Sequence, residues 1–402
     1  MNTDYISNRT KNLAESATLK MTQKSRELKA QGHDVIALSI GEPDFDTPSN
    51  VKEAAKKAID ENYTHYTPVA GYPELRKAVV QKLKRDNDLD YTPEQVVISN
   101  GAKQSIANVM YAILNPGDEV IIPSPYWVSY PAMVSLAGGN IVEVKTGIET
   151  DFKFTAEQFE AAITDKTKAI IFSSPCNPTG SIYTYEELEA IAKVLEKNPQ
   201  IFVISDEIYE LINFKGKHES MAQFDAIKDQ VITINGVSKG FAMTGWRIGY
   251  IAAPLAVAKA CDKLQGQYTS GASSIAQMAT IEALLTSPTK SEELKNMIKT
   301  FNERRDLVVG LLKEIPGIKT NTPDGAFYVF PEVNSYFGKK FENYTINNAS
   351  DLCMYILETE YVGLVPGDAF GSDECIRISY ATSNEILKEA IVRVKRALSK
   401  LQ

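Results

Sequence analysis

Short apolar runs alternate with helical patterns along the central part of the chain. The runs are rich in β-branched residues and apolar throughout; they lie at residues 95–99 (QVVIS), 119–123 (EVIIP), 168–173 (KAIIFS), 201–205 (IFVIS), 231–234 (VITI) and 248–252 (IGYIA). Strands buried on both faces have this pattern, which differs from the alternation of half-exposed strands. With helices between them, the runs predict an α/β fold with a mostly parallel sheet flanked by helices.

The last third of the chain has a different pattern. A charged amphipathic stretch at residues 291–312 predicts one long helix, and apolar runs at 325–330 (GAFYVF) and 376–380 (IRISY) precede a helical C-terminus. We therefore predict a smaller α+β domain at residues 291–402 and a large domain at 46–290. The N-terminal segment, residues 1–45, should contain a helix ending near Gly32 and pack on the small domain or on a partner subunit.

Length and composition support two domains and exclude some classes of partner. The chain has 402 residues, whereas single cores stop growing near ~250–300 residues. Hydrophobic residues make up 44%, and the net charge is −8. An acidic chain is not expected to bind nucleic acid or an acidic membrane.

No targeting segment, membrane span or metal site is expected from the sequence. The chain lacks an apolar run of about 18 residues and an N-terminal signal peptide pattern, so we expect a cytoplasmic protein without a membrane helix. Its four cysteines are far apart, and with only three histidines beside them they form no zinc pattern. We expect reduced structural thiols and no metal.

Candidate chemistry follows the strand ends, because ligands of open parallel sheets bind beyond the carboxyl ends of the strands. After the run at 95–99, Gly101, Ala102 and Lys103 open a helical pattern. The free N–H groups at such a helix start form an anion site. An ordinary turn capped by Asn100 or Ser99 is the alternative.

Two further strand ends carry polar groups. Asn177 lies in the turn PCNPTG, where its amide can donate to a ligand oxygen, although an ordinary turn has the same composition. Asp206 ends a wholly apolar strand, and Tyr209 follows it. A poorly solvated carboxylate needs a partner, so Asp206 is either a helix N-cap or the partner of a buried cationic nitrogen.

Lys239 follows the run at 231–234, beside Ser238 and eight residues before Arg247. A solvated loop lysine is the common alternative. Together, the strand ends supply an anion cradle, a lysine nucleophile, a carboxylate for a ring nitrogen and donors for a phenolic oxygen. Pyridoxal phosphate has the matching parts, and enzymes hold it through a lysine Schiff base and an acidic ring partner.

The run around Lys239 resembles the cofactor-lysine signature of class I/II aminotransferases. Gly-Val-Ser-Lys is followed at the family's spacing by Ala-Met, Gly and Arg-Ile-Gly, within residues 236–249. Neighbouring segments agree in order and spacing; they are SIGEPDFDTP (39–48), HYTPVAGYPELR (65–76), NGAKQ (100–104), PSPYWVSYP (123–131), NPTG (177–180), SDEIYE (205–210), GAFYVF (325–330) and RISYA (377–381). The resemblance covers nearly the whole chain and is closest to the bacterial and archaeal aspartate aminotransferases of fold type I.

The resemblance implies a role for each residue that would hold the cofactor. Lys239 would bind pyridoxal phosphate covalently and then move the proton released from the substrate Cα. Asp206 would pair with the pyridine nitrogen, and Tyr209 and Asn177 would bond the ring oxygen. Trp127 resembles the family's aromatic residue that stacks on the ring and lines the substrate site, although a core tryptophan is the alternative.

The phosphate and the substrate would be bound by a further set. The resemblance implies phosphate binding by the backbone of residues 101–103, by Ser238 and Arg247, and by Tyr66 from the other subunit of a homodimer. Arg377 would bind the substrate α-carboxylate with Gly41, and Asn177 would line the same site. Strand alternation places Arg377 on one face with Cys375 and Ser379; an exposed edge-strand arginine is the alternative.

The substrate is the least determined part of this interpretation. Aspartate with 2-oxoglutarate is expected from the branch, while aromatic or neutral amino acids, prephenate, or a β-lyase reaction stay open. No residue is firmly assigned to the distal carboxylate: Lys103 is expected to face the phosphate turn, and Ser16, Thr18 and Tyr111 are only candidates. Residues 268–270 are candidates for lining the partner's site. A nicotinamide dehydrogenase lacks support because no G-x-G-x-x-G follows a strand. A DNA-binding regulator is not expected, because this chain has no spare basic N-terminal region that could supply a DNA-binding domain.

Overall fold

The computed structural model describes residues 5–11, 13 and 17–402, with the side chains of residues 17–20 excepted. Its α-helices are α1 (Asn8–Lys11), α2 (Ala17–Ala30), α3 (Ser49–Asp60), α4 (Pro73–Asn87), α5 (Ala102–Ile113), α6 (Tyr130–Leu136), α7 (Ala156–Ala162), α8 (Tyr185–Glu196), α9 (Leu255–Tyr268), α10 (Ser274–Leu285), α11 (Glu292–Lys313), α12 (Ala349–Glu360) and α13 (Asn384–Ser399). The predicted long helix is α11, whose N-cap Ser291 accepts the Leu294 N–H at 3.4 Å.

A large sheet forms the centre of the described structure. The strands are β1 (Ile36–Ala37), β2 (Val96–Ser99), β3 (Glu119–Ser124), β4 (Asn140–Lys145), β5 (Thr167–Ser173), β6 (Phe202–Asp206), β7 (Val231–Gly236), β8 (Gly249–Ala252), β9 (Tyr328–Val329), β10 (Lys340–Phe341), β11 (Tyr344–Thr345), β12 (Val362–Gly363), β13 (Val365–Pro366) and β14 (Ile376–Ser379). The large sheet has the order β2-β8-β7-β6-β5-β3-β4, and only β8 among these runs antiparallel to its neighbours. The predicted α/β class and mostly parallel sheet are confirmed.

Helices cover both faces of this sheet because its strands carry apolar side chains on each. In β3, Val120 and Ile122 belong to one hydrophobic cluster, which α5 and α9 complete, while Ile121 belongs to the other. All three side chains are fully buried. Alternation along a strand therefore directs neighbouring residues into two separate cores, which explains why the runs are apolar throughout.

A small sheet lies outside the large one and is built from the last third of the chain. Its order is β13-β14-β9, with both pairs antiparallel. The N-terminal strand β1 pairs in parallel with β12. Chain segments from both ends of the sequence therefore meet near the small sheet, and the division at residues 45 and 290 stays a prediction.

The structure corrects several local details. Strands β2 and β8 begin one residue later than predicted, at Val96 and Gly249, and the bounds of β3, β5, β6 and β7 agree to within two residues. The edge strand β4 was not predicted, because it is mostly exposed and has no wholly apolar run. Within the run 325–330 only β9 is strand. The chain bends there because Ala326 has a φ of +56° and its N–H donates to the Ile212 carbonyl at 2.8 Å. Within the described residues, no helix is both long and apolar enough to cross a membrane.

Candidate active site

A cavity of about 860 Å³ opens at the carboxyl ends of the parallel strands. Strands β2, β3, β5, β6 and β7 all point toward this edge, so the loops that follow them converge on one place. The predicted site residues that line the cavity are Gly41, Ala102, Lys103, Trp127, Asn177, Asp206, Tyr209, Ser238, Lys239, Arg247 and Arg377. The fold therefore gathers residues from positions 41 to 377 around one volume.

Lys239 lies in the turn after β7, with its amine deep in this cavity. The Nζ donates to the Gly41 carbonyl at 2.5 Å and lies 5.8 Å from the centre of the Tyr209 ring. Burial lowers the pKa of Lys239 to about 8, with Arg377 acting in the same direction and Glu42 opposing it. A buried amine of this kind is partly neutral near pH 7, as a nucleophile or general base requires.

Asp206 is the last residue of β6 and is buried. Its Oδ2 accepts the Tyr130 hydroxyl at 2.6 Å, and its Oδ1 accepts the Ile208 N–H at 3.3 Å. Burial raises the pKa of Asp206 to about 6, against the opposing effect of the Tyr130 hydrogen bond. These two donors do not neutralise the charge, so the geometry suits a cationic ligand group.

Arg377 lies on β14, the middle strand of the small sheet. The exposed edge-strand alternative is wrong, because β13 and β9 flank β14 and the side chain is buried. Its Nη1 donates to Asn177 Oδ1 at 3.0 Å, and its Nη2 donates to the Ser39 carbonyl at 2.7 Å. Burial lowers the pKa of Arg377, yet an arginine keeps its charge.

The guanidinium of Arg377 still has unused hydrogen-bonding capacity. Its Nε is buried and has no partner among the described residues. Buried donors are usually paired, so this N–H is available to a bound group. A planar guanidinium with free N–H groups at the wall of a cavity fits a carboxylate.

The anion cradle lies where β2 turns into α5. Gly101 is the N-cap of α5, with a φ of +82°, and no side chain caps the helix, so the alternative of an Asn100 or Ser99 cap is wrong. The first N–H groups of the helix are free of intrahelical partners. Arg247 lies beside Gly101, because a Cβ there would meet its guanidinium. Its Nη1 donates to the Thr244 carbonyl at 2.9 Å, and Ser238 is buried nearby in the cavity lining.

Lys103 has a different position from the one expected at the phosphate turn. Its amine lies over the ring of Trp127, 5.0 Å from the centroid. Partial burial and Arg247 lower the pKa of Lys103. Trp127 itself packs edge-on against Tyr130, with centroids 5.5 Å apart. Lys103 therefore adds a cation to the cavity lining beside Trp127, in addition to Lys239, Arg247 and Arg377.

Some predicted residues lie elsewhere. Tyr66 is 99% exposed and does not line the cavity of its own chain. Tyr111 stacks on Tyr268 instead, with ring centroids 6.1 Å apart. Ser16 lies outside the described residues, as does the side chain of Thr18. The predicted role of Tyr66 in a partner's site is therefore not tested within one chain.

Two tyrosines of the cavity received no role from the sequence. Tyr130 bonds Asp206, and the hydroxyl of Tyr328 meets that of Tyr209 at 2.8 Å. Both lie in segments that carry the family resemblance, three residues after Trp127 and within GAFYVF. Position within those motifs was the available signal, because neither tyrosine ends a strand of the large sheet.

A buried ionic cluster lies behind Asp206. Glu207, Glu210 and His218 bring carboxylate and imidazole atoms within 4.8 Å of one another, a spacing that a metal ion could bridge. Glu207 Oε2 lies 3.0 Å from His218 Nε2, and Lys82 forms an ion pair with Glu210. A histidine and a lysine of the protein therefore already face these carboxylates, and we assign the cluster to internal pairing of polar groups.

Comparison with known proteins identifies the family. The family model described as aminotransferase class I and II matches residues 33–394. The chain belongs to the class I and II aminotransferases. The predicted reaction class, a transaminase, is confirmed, and the substrates of this reaction class are amino acids and 2-oxo acids.

Similar proteins and structures carry consistent names. A bifunctional aspartate aminotransferase and glutamate/aspartate-prephenate aminotransferase from Petunia hybrida is 48% identical over 395 residues, covering 98% of this aminotransferase and 82% of that protein. A probable aspartate/prephenate aminotransferase from Rhizobium leguminosarum bv. phaseoli is 50% identical, with 95% of each chain covered.

Solved structures agree. The aspartate aminotransferase from Rhizobium meliloti superposes with a TM-score of 0.95 at 41% identity, covering 98% of this chain and 99% of that one. The enzyme from Thermus thermophilus with maleate gives 0.91 at 42% identity, with the same coverage. The predicted resemblance to bacterial aspartate aminotransferases is confirmed.

Proposed function

We propose that this aminotransferase moves the amino group of L-aspartate to 2-oxoglutarate, using pyridoxal 5′-phosphate attached to Lys239. The observation that carries the proposal is the arrangement around the Lys239 amine. A partly neutral amine, a buried carboxylate and a buried guanidinium line one cavity. This arrangement fits the cofactor and an amino acid carboxylate together.

The cavity residues fit the parts of pyridoxal phosphate. Among the described residues, Asp206 accepts hydrogen bonds from two uncharged donors and from no cation; a protonated pyridine nitrogen would supply one. The hydroxyl of Tyr209 faces the same cavity and would donate to the ring oxygen, together with the amide of Asn177. Trp127 would cover the face of the ring. These residue types match what the cofactor needs for orientation and electronic tuning.

The phosphate would lie at the start of α5. Gly101 brings the backbone close, and the N–H groups of Ala102 and Lys103 point from the helix start. Arg247 and Ser238 would add charge and a hydroxyl. Charge-assisted hydrogen bonds of this kind contribute about 1.5–3 kcal/mol each.

The bound cofactor supplies an electron sink for the pair released when the Cα–H bond of the substrate breaks. The protein residues supply binding and proton transfer. With a pKa of about 8, about a tenth of Lys239 is neutral at pH 7 before the cofactor binds. Once displaced from the cofactor by the substrate amine, the Lys239 Nζ would accept the Cα proton, and Arg377 would orient that carbon by binding the α-carboxylate.

A dicarboxylate substrate is supported by a further cation of the cavity, Lys103. Arg377 serves one carboxylate, and Lys103 lies at the Trp127 wall, where it can serve the other. The similar Thermus thermophilus enzyme binds maleate, itself a dicarboxylate. Prephenate is a second candidate substrate because several similar proteins are named aspartate/prephenate aminotransferases, and it too carries two carboxylates.

We also propose a homodimer with shared active sites. Tyr66 is almost fully exposed, and Tyr268 is 68% exposed. Large exposed aromatic side chains are enriched at protein interfaces. In such a dimer the hydroxyl of Tyr66 would reach the phosphate in the partner's cavity.

The test is a spectral titration of each half-reaction. The protein loaded with pyridoxal phosphate is mixed with single L-amino acids, and the cofactor absorbance is recorded. We expect aspartate and glutamate to convert it to the pyridoxamine form and 2-oxoglutarate to reverse the change. Borohydride reduction followed by peptide mapping should find the cofactor on Lys239.

Variants and alternative outcomes sharpen this test. Lys103→Met should lower kcat/KM for aspartate by about 10- to 100-fold, the effect of one charged hydrogen bond, and affect alanine little. Lys77→Met, an exposed lysine on α4, is the matched control. Conversion by aromatic or neutral amino acids alone would contradict aspartate specificity. Release of pyruvate or ammonia without a 2-oxo acid would indicate a β-lyase.

A further inference from the structure

The hydroxyls of two buried tyrosines meet at the wall of the cavity. Tyr209 Oη and Tyr328 Oη are 2.8 Å apart, and either oxygen can donate in this geometry. The rings pack edge to face, with centroids 5.9 Å apart. Both side chains are almost fully buried and both line the cavity. Tyr328 is therefore part of the site, although no motif assigned it a role.

Tyr328 also contacts the arginine of the substrate site. The guanidinium of Arg377 lies 4.6 Å from the centre of the Tyr328 ring. A cation above an aromatic face is stabilised, and more strongly when both are desolvated. One side chain thus contacts Tyr209 through its hydroxyl and Arg377 through its ring.

The backbone of the N-terminal segment is shaped around the same hydroxyl. A Cβ added to Gly41 would lie 2.7 Å from Tyr328 Oη, so a larger residue there would displace it. The carbonyl of Gly41 accepts the Lys239 amine. The position of the Tyr328 hydroxyl is therefore constrained by Gly41 on one side and by Tyr209 on the other.

The number of protons on the two hydroxyls sets the direction of donation when the cofactor is bound. A phenol has one proton and two acceptor sites. If Tyr209 gives its proton to the cofactor ring oxygen, its own oxygen can only accept at the contact with Tyr328. The Tyr328 hydroxyl must then donate to Tyr209. Donors in such a chain polarise one another, so the outer donor strengthens the inner one.

We propose that Tyr328 is a positioning residue that donates to Tyr209 and supports Arg377, and so couples the substrate-carboxylate site to the cofactor ring oxygen. The inference rests on the proposed function, because it assumes pyridoxal phosphate in the cavity. The inference adds Tyr328 to the site as a residue that is not proposed to contact the cofactor or the substrate directly. Its action passes through two residues that do.

The surrounding charges are compatible with two protonated phenols. Burial raises the pKa of both Tyr209 and Tyr328, so each keeps its proton at neutral pH. The charged groups that act on this pair are Asp206, Arg377 and Glu42, and Lys239 lies 5.8 Å from the Tyr209 ring. Substitutions that leave these groups in place isolate the effect of the hydroxyl.

The experiment uses the pH at which the cofactor absorbance changes. A hydrogen bond to the ring oxygen lowers its electron density and favours loss of the neighbouring proton. Tyr209→Phe should therefore raise the midpoint of this absorbance change by about 1–2 pH units, the effect of one charged hydrogen bond. Tyr328→Phe should raise it in the same direction by about 0.1–0.6 pH unit, since one bond in a chain strengthens the next by roughly 10–30%.

A double-substitution cycle separates a chain from two independent effects. In the Tyr209→Phe background, adding Tyr328→Phe should leave the midpoint where Tyr209→Phe put it. Tyr355→Phe is the matched control, because it removes another buried phenol hydroxyl, bonded to the Ala397 carbonyl at 2.9 Å and outside the cavity lining. That control should not move the midpoint.

A second substitution tests the contact between the Tyr328 ring and Arg377. Tyr328→Leu removes both hydroxyl and ring, so KM for aspartate should be about fivefold higher than in Tyr328→Phe, which keeps the aromatic face toward Arg377. The inference would be overturned if Tyr328→Phe left the midpoint unmoved, or if it shifted the midpoint equally in the wild type and in Tyr209→Phe. The proposed function would still be upheld in either case if the wild-type protein shows the cofactor band. A wild-type protein without a cofactor band would overturn both.

Discussion

Individual residues of the cavity carry charges that burial disfavours. The pKa of Lys239 is lowered to about 8, that of Asp206 is raised to about 6, and that of Arg377 is lowered, each with burial as the largest cause. Each shift is toward the neutral form, as expected for groups removed from water. A ligand that brings both a cationic ring nitrogen and a carboxylate relieves these penalties. Binding such a ligand should therefore stabilise the folded chain.

Asp206→Asn should stabilise the apoprotein at neutral and high pH. The folded pKa of about 6 lies above the ordinary 3.8, so the native state is favoured by protonation, and stability is lost as pH rises through 6. The difference corresponds to about 3 kcal/mol. The variant should gain up to that amount at pH 8 and almost none near pH 4, in denaturant unfolding of cofactor-free protein.

A substitution at an exposed carboxylate controls this prediction. Asp165→Asn, in a surface turn, should change the unfolding free energy little at either pH. Cofactor affinity of Asp206→Asn should fall, because an amide cannot keep the ring nitrogen protonated. Equal stability of the variant and the wild type at pH 8 would contradict the burial penalty.

The residues of the cavity lie where individual strands end and helices begin. The turn from β2 into α5 is the clearest case, since Gly101 adopts a φ of +82° and leaves no room for a Cβ beside Arg247. Glycine is the residue that tolerates both conditions. The helix start can then present its N–H groups at close range to an anion. The conformation of one residue thus decides the approach of the backbone to the phosphate.

Gly101→Ala should weaken cofactor binding. An alanine is strained at this φ, and its Cβ would push the Arg247 guanidinium away. We expect Kd for pyridoxal phosphate to rise at least about tenfold, which is the equivalent of about 1.4 kcal/mol, as measured by absorbance titration of the apoprotein.

The control for this element is another glycine-to-alanine change. Gly310 lies within α11, where an added Cβ meets open space. Gly310→Ala should leave Kd unchanged and stabilise the helix slightly, because glycine in a helix interior costs about 0.5–1 kcal/mol relative to alanine. If Gly101→Ala binds the cofactor within twofold of the wild type, the cradle lies elsewhere.

At the scale of the whole molecule, the cavity joins the large and small sheets. Arg377 on β14 bonds Asn177 after β5, and it also bonds the Ser39 carbonyl of the N-terminal segment. Arg304 on α11 holds the same segment through Asp44, with two hydrogen bonds of 2.6 and 2.8 Å. The substrate site thus depends on how three distant parts of the chain pack.

Mixed dimers should reveal the shared site. Tyr66→Ala and Lys239→Ala should each have low activity, but in a hybrid dimer one site has both an intact Lys239 and an intact Tyr66 from its partner. Random reassociation should restore about a quarter of the wild-type activity. The measurement is transaminase activity after the two variants are unfolded and refolded together.

The control replaces one parent in this mixture. A Lys239→Ala variant that also carries Tyr66→Ala offers no intact Tyr66, so mixing it with the Tyr66→Ala variant should restore nothing. If no activity returned in the mixture of Tyr66→Ala and Lys239→Ala, a role of Tyr66 in the partner's site would be contradicted. Full activity of Tyr66→Ala alone would contradict it as well.

The strand ends were predictable from local pattern. Asp206 and Lys239 follow runs that are apolar because both faces of their strands are buried, and Gly101 begins a helical repeat. Parallel strands place their carboxyl ends at one edge, so the convergence of these residues followed from the fold class. Arg377 was harder to place, because its strand is short and its assignment depended on the resemblance of RISYA.

Contacts between distant side chains were not predictable. The Tyr130 hydroxyl bonds Asp206 across 76 positions of sequence, and Tyr209 meets Tyr328 across 119. Such contacts depend on strand register, on how the small sheet packs and on rotamers. None of these leaves a local pattern. The position of Lys103 over Trp127 has the same origin, since the helix start determines its backbone but not the direction of its side chain.

Sequence alone therefore determined the order of the elements, the fold class and the chemical groups at the strand ends, because burial and turn geometry act on neighbouring residues. The packed structure decided which of those groups touch, how far burial shifts the pKa of Lys239 and Asp206, and that Tyr328 links Arg377 to Tyr209. Desolvation and side-chain contact are properties of atoms brought together from distant positions. They exist only once the chain has folded.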